Sequence, residues 1–140
     1  MFLDKNIAYV NGQLPLLFFV DGKLFGFAIF TLPKFGDAKD GCIYILSDFV
    51  APYSRYKRLS KLLLYILTTT QIQKTITEKF WMRVNSLRTT AFTNKPASAK
   101  YRGVFELEKR GEGYLNYKAL AGTRSMKGAL KEWLNRFGKH

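Results

Sequence analysis

Apolar residues along this chain fall in short runs divided by turn-forming residues. Leu14–Val20 and Leu24–Leu32 are two such runs on either side of Asp21-Gly22-Lys23. Asp-Gly adopts the positive-φ geometry of a tight hairpin, so the pattern predicts two antiparallel strands. Residues 33–41 read as an exposed loop, and residues 42–47, rich in β-branched and aromatic side chains, as a third strand. From about Leu59 to Gln73 the apolar positions 59, 62, 63, 66 and 67, extended by Ile72, fall at helical spacing. Residues 79–87 predict the next strand, parallel to 42–47 across that helix, which makes a right-handed βαβ unit. A polar loop over Thr89–Arg102 leads to a short helix near Ala97–Tyr101. Gly103–Lys109 and Tyr114–Ala119 read as a closing strand pair around the turn Arg110-Gly-Glu-Gly113. Residues 125–137 predict an amphipathic helix built on Met126, Leu130, Trp133, Leu134 and Phe137, whose apolar face is a candidate homodimer contact. With no repeat, low-complexity stretch or linker, the expectation is one α/β domain: a mixed sheet, α+β in outline, with a central βαβ unit.

At 140 residues with 47% hydrophobic and 16% aromatic content, the chain can bury a substantial single core. Its charge changes the picture more than its size does. Residues 1–50 carry a net charge of −1 and residues 51–140 a net charge of +14, from a total of +13. Such asymmetry points to a polyanionic partner, nucleic acid or a phosphorylated cofactor, over a merely soluble basic surface. Cys42 is the only cysteine and lies inside an apolar strand pattern, so it reads as a small buried hydrophobe. The only histidine is His140, the last residue. Cys–His and Ser–His–Asp catalysis, His-ligated zinc and two-His iron sites therefore lack their groups, and no metal is expected. Neither N-terminal apolar run is long enough to span a bilayer, and Met1–Lys5 does not open a secretory signal. The expected location is the cytoplasm, without a membrane partner.

The richest stretch for chemistry is the one from Gly41 to Lys74. There an apolar strand passes through Ser47-Asp48-Phe49-Val50 into the basic turn Pro52-Tyr-Ser-Arg-Tyr-Lys-Arg-Leu-Ser60, and a helix begins. A helix N-terminus offers unpaired N–H groups and partial positive charge, to which Arg55, Lys57, Arg58 and Lys61 add full charges. No P-loop and no Gly-x-Gly-x-x-Gly after a strand is present, so a conventional dinucleotide or nucleotide-hydrolysing enzyme is not expected.

The order of hairpin, strand, phosphate turn, helix, strand, short helix and strand pair, over about residues 14–120, resembles the GNAT acyltransferase fold. In that family a Gln/Arg-x-x-Gly-x-Gly/Ala turn binds the pyrophosphate of acetyl-coenzyme A. The matching segment is Arg55-Tyr-Lys-Arg58-Leu-Ser60, with Arg58 where the pattern has its first glycine. The resemblance implies an acetyl-CoA or related acyl-CoA donor held by Phe49, Val50, Arg55, Tyr56, Lys57, Arg58, Leu59 and Ser60. The two helices usual before the hairpin have no counterpart in the dozen residues that precede Leu14. With Arg58-Leu-Ser-Lys61, the segment from Thr89 to Leu107 is similar to phage Mom-type DNA modification proteins. That similarity implies adenine N6 carbamoylmethylation, protection of phage DNA from restriction, and a phage-infected bacterial cytoplasm as the setting.

Within this frame Asp48 is a candidate to orient an amine or accept a proton, against a plain turn or cap role. Tyr101 and Ser98 lie where GNAT enzymes place a group near the leaving thiolate, and Tyr101 is the candidate general acid, against a buried amphipathic tyrosine. Arg88, Lys95, Lys100 and Arg102 are candidate DNA contacts. Phe92, Tyr53 and Tyr56 are candidate stacking surfaces for a flipped adenine, whereas Trp81 and Trp133 read as packing residues. Two rivals remain: an ordinary N-acetyltransferase acting on a protein or small amine, and a basic module that binds nucleic acid without chemistry.

Overall fold

A computed structural model describes residues 2–4, 12–32, 40–52, 58–92 and 100–137. Seven strands form one mixed sheet: β1 (Phe2–Asp4), β2 (Gln13–Val20), β3 (Lys23–Thr31), β4 (Cys42–Val50), β5 (Ser86–Phe92), β6 (Glu106–Gly111) and β7 (Tyr114–Leu120), in the order β1-β2-β3-β4-β5-β7-β6. Among the described residues three helices accompany it: α1 (Leu59–Leu67), α2 (Thr70–Phe80) and α3 (Met126–Phe137). The hairpin expected at Asp21-Gly22 is present. Val20 pairs with Lys23, and both turn residues take positive φ, 51° and 76°, the geometry that suits the twist of the flanking strands. β1, at the sheet edge beside β2, was not anticipated.

The predicted parallel βαβ unit holds, but two of its boundaries move. The single helix expected over Leu59–Gln73 is broken at Thr68-Thr69. The hydroxyls of Thr68 and Thr69 donate to the carbonyls of Tyr65 and Ile66, both at 2.7 Å. Thr69 then takes an extended conformation and its hydroxyl accepts from Ile72 N, which caps α2. Short hydroxyl side chains compete with the helix for its own backbone partners in this way. The strand expected at 79–87 starts later, at Ser86, because α2 runs on to Phe80. The chain then turns at Trp81, φ 55°. Trp81 is 93% exposed, so it is not the packing residue its hydrophobicity suggested.

The core lies on one face of the sheet. Leu14, Leu16, Phe18, Ala28, Phe30, Ile43, Ile45, Leu87, Leu115 and Tyr117 are all buried there in one cluster with the apolar residues of α1. Residues Leu62 to Leu67 of α1 are buried without interruption, as expected for a helix covered on both sides. The second cover is α3: Phe137 meets the Tyr65 ring at 6.5 Å, and Arg136 Nη1 donates to the Tyr65 hydroxyl at 2.6 Å. The apolar face of the last helix, a candidate dimer contact on periodicity, is thus directed largely toward α1 within the same chain.

Two irregularities shape the middle of the sheet. β4 and β5 pair over only three positions, Cys42–Tyr44 with Ser86–Arg88. Beyond them β4 continues along β3 to Val50, and β5 continues along β7 to Phe92. A wedge opens between the two strands toward their C-terminal ends. The second irregularity is a register shift in β4: Phe30 pairs with Ile45 but Ile29 with Ser47, so Leu46 is an extra residue. A bulge inverts the alternation beyond it. Asp48, opposite the fully buried Ala28, therefore shares the core face with Ile45, while the Leu46 side chain is 57% exposed.

Candidate active site in the β4–β5 wedge

The bulge turns Asp48 toward the wedge, and the helical turn at Lys100-Tyr101 brings its partners. The Tyr101 hydroxyl donates to Asp48 Oδ2 at 2.7 Å. The Lys100 ammonium forms an ion pair with Asp48 Oδ1. The Asp48 side chain is only 1% exposed and that of Lys100 18%, so one carboxylate, nearly sealed from solvent, carries a phenol on one oxygen and an ammonium on the other. Burial lowers the Lys100 pKa to about 8, because desolvation disfavours the charged amine. Burial likewise raises the Tyr101 pKa; a Thr89 hydrogen bond opposes that shift and the nearby Tyr117 adds to it. Tyr101 is wedged between the rings of Phe105 and Tyr117, at centroid distances of 5.7 and 5.2 Å.

Lys61, on the first turn of α1, reaches across to this turn. Its ammonium donates to the carbonyl of Lys100 and, at 2.6 Å, to that of Arg102. Burial lowers the Lys61 pKa, and the neighbouring positive charges of Arg136 and Arg102 lower it further. Arg136 of α3 also donates to the Gly103 carbonyl, at 3.1 Å. Two cations from two helices thus hold the backbone on both sides of Tyr101. Charge in the first turn of α1 marks Lys61 for the phosphate-binding helix start, but nothing in spacing indicates where its ammonium goes. Arg136 carried no signal beyond its place on the last helix.

Arg58 opens α1 in the left-handed conformation, φ 59° and ψ 27°. Glycine holds that conformation without strain, and an L side chain there costs about 1–2 kcal/mol. The glycine of the family pattern and the backbone of this chain therefore agree, although the residue does not. Supports from α3 fix the position: Trp133 Nε1 donates to the Arg58 carbonyl at 2.9 Å, and the guanidinium lies 5.8 Å from the Phe137 ring centroid. The first turn of α1 holds no acidic residue, so nothing acidic there would compete with an anion for its N–H groups and the Arg58 charge.

The other expected residues are distributed as follows. Leu59 and Ser60 lie on the first turn of α1, half-buried; Val50 is buried at the end of β4, and Phe49 stacks on Phe27 at 5.7 Å on the opposite face. Arg88 alternates with the core residues Leu87 and Thr89, so it lies on the face away from Tyr101, and it pairs with Glu108 at 3.0 Å. Arg102 is exposed beside the site. Arg55, Tyr56, Lys57, Lys95 and Ser98, with Tyr53, lie outside the described residues, as does the side chain of Phe92. Among the described residues no group of three His, Cys, Asp or Glu could hold a metal ion, and no helix is long and apolar enough to cross a membrane.

Solved structures share this fold. The Campylobacter jejuni N-acetyltransferase PseH in complex with acetyl coenzyme A superposes with a TM-score of 0.52 at 15% identity, over 79% of this chain and 70% of that one. The ribosomal-protein-S18-alanine N-acetyltransferase of Escherichia coli gives 0.53 at 14% identity, over 84% and 74%. An IAA acetyltransferase from Bacillus cereus gives 0.54 at 14% identity, over 80% of each chain. At these identities the likeness is one of fold, and it is the GNAT fold. No curated relative matches the sequence. The phage GNAT-like domain matches it over residues 1–138, and the chain belongs to that family.

Proposed function

We propose that the protein is an acyl-coenzyme A-dependent N-acyltransferase, and that its acceptor amine is the N6 group of adenine in DNA. The observation that carries the transferase reading is the Tyr101–Asp48 hydrogen bond in the wedge, beside a helix start with a left-handed first residue and no acidic side chain. These features fit a phosphate-bearing thioester donor: Arg58, Leu59 and Ser60 would hold its phosphates, and the wedge would receive its acyl end. When bound, the donor supplies a carbonyl carbon activated toward an amine and a thiolate that must leave.

The remaining work falls to side chains of this chain. Asp48 accepts the proton released by the acceptor amine, and Tyr101 delivers a proton to the departing sulfur. Because the phenol already donates to Asp48, these two transfers can run as one relay: a proton taken up by the carboxylate replaces the one that the phenol gives away. Lys61 and Arg136 hold the Tyr101 turn in place. Tyr117 and Phe105 keep water from its ring.

DNA as the acceptor's carrier rests on the net charge of +13, which suits a polyphosphate, and on the segmental similarity to Mom-type proteins. The test expresses the protein with a plasmid and analyses hydrolysed DNA by mass spectrometry. Deoxyadenosine heavier by one acyl group, absent with Tyr101→Phe, is the expected result. Unmodified DNA, together with acetyl-CoA consumption in the presence of small amines or peptides, would instead select the ordinary N-acetyltransferase.

A further inference from the structure

Lys100 brings a primary amine to the place where an acceptor's amine has to react. Its ammonium rests on Asp48 Oδ1, and the other oxygen of the same carboxylate takes the Tyr101 hydroxyl. The carboxylate is almost wholly buried while the lysine side chain keeps some exposure, so the amine stands between the base and solvent. Among the described residues, the groups that face it are the Asp48 carboxylate from β4 and the Tyr101 ring, 5.3 Å away. An incoming acceptor meets this amine before it meets Asp48.

We propose that Lys100 Nζ is itself an acyl acceptor, a self-modification site within the wedge. The inference rests on the acyl-coenzyme A reading of the site. In the reaction Nζ forms an amide bond to the acyl carbonyl carbon and the carbon–sulfur bond breaks. The proton lost from the amine passes to Asp48, and Tyr101 gives its own proton to the sulfur, so the products are the free thiol and Nε-acyl-Lys100. The step needs no co-reactant. Burial favours it, since a lysine whose pKa falls to about 8 carries far more free amine near neutral pH than a solvated one. Acylation removes the positive charge and the ion pair. The longer, neutral side chain remains over Asp48 and closes the base to other acceptors, which makes the modification self-limiting.

The test incubates the purified full chain with acetyl-CoA and follows intact mass and proteolytic peptides over time, with thermal-shift titration of the same sample to register donor binding. One acetyl group is expected on Lys100. Its rate should be independent of protein concentration and about tenfold or more above that of the lysines on α3, Lys127 and Lys131. Urea-unfolded protein should lose that preference, and Lys100→Arg should gain no acetyl group at that position. Donor binding with Lys100 labelled no faster than Lys127 and Lys131 overturns the inference and leaves the transferase reading standing. Absence of any donor binding overturns both.

Discussion

Two residues illustrate how a side chain named for its charge serves through its geometry. Lys61 spends its ammonium on the carbonyls of Lys100 and Arg102, so it is a positioning residue for Tyr101. Lys61→Met should lower kcat about tenfold and leave the KM for the donor nearly unchanged, because a slight misplacement of the proposed acid is costly while the donor's contacts persist. Partial recovery in Lys61→Arg, measured in the same assay, separates positioning from general loss of fold. A KM effect as large as the kcat effect would instead place Lys61 on the donor. Arg58 shows a backbone demand that outlasts the residue which usually meets it. Arg58→Ala and Arg58→Gly remove the same guanidinium, but only glycine relaxes the φ of 59°. Denaturant melts should find the glycine variant the more stable of the two by about 1 kcal/mol. Equal stabilities would mean that the left-handed start does not persist in solution. Asp48 and Tyr101 were both legible as candidates from the sequence, one at a strand end and one in a short helix after the next strand. Their hydrogen bond was not, because it joins positions 53 residues apart.

At the scale of elements, periodicity located the hairpin, the parallel crossover and the last helix, and failed where two signals competed. The stripe at 59, 62, 63, 66 and 67 runs on to Ile72, yet the two threonine hydroxyls between break the helix. Residues 79–87 are apolar enough for a strand, but the helix before them keeps its hydrogen bonds through Phe80. The bulge at Leu46 left no mark at all, since residues 42–46 are apolar throughout and alternation within such a run is invisible. That single insertion decides whether Asp48 faces the core or solvent. Its neighbour Gly26 guards the same region: a Cβ there would lie 2.6 Å from the Phe49 carbonyl oxygen. Gly26→Ala should therefore push β3 and β4 apart, lower stability by about 2 kcal/mol and weaken transfer by moving Asp48. A melting temperature unchanged from the parent chain would show that the two strands can separate there without cost.

For the whole molecule, charge asymmetry points to a polyanion, and a few basic residues from several elements lie beside Tyr101. Arg58 and Lys61 come from α1, Arg102 from the turn beside Tyr101 and Arg136 from α3. Arg88 lies on the other face and pairs with Glu108. The short seam between β4 and β5 also has a consequence for how the domain comes apart. On one side lie β1 to β4, on the other β5, β7 and β6, and three register positions join them. Amide protons exchange with solvent in blocks that open together, and a sheet this weakly stitched should contain two of them. Leu115→Ala, deep in the second half, should speed exchange in β5 and β7 well ahead of β2 and β3; uniform acceleration would show one block. If the halves do open separately, the hinge between them is the wedge itself, and the crevice proposed to admit a donor is also the line along which the protein breathes.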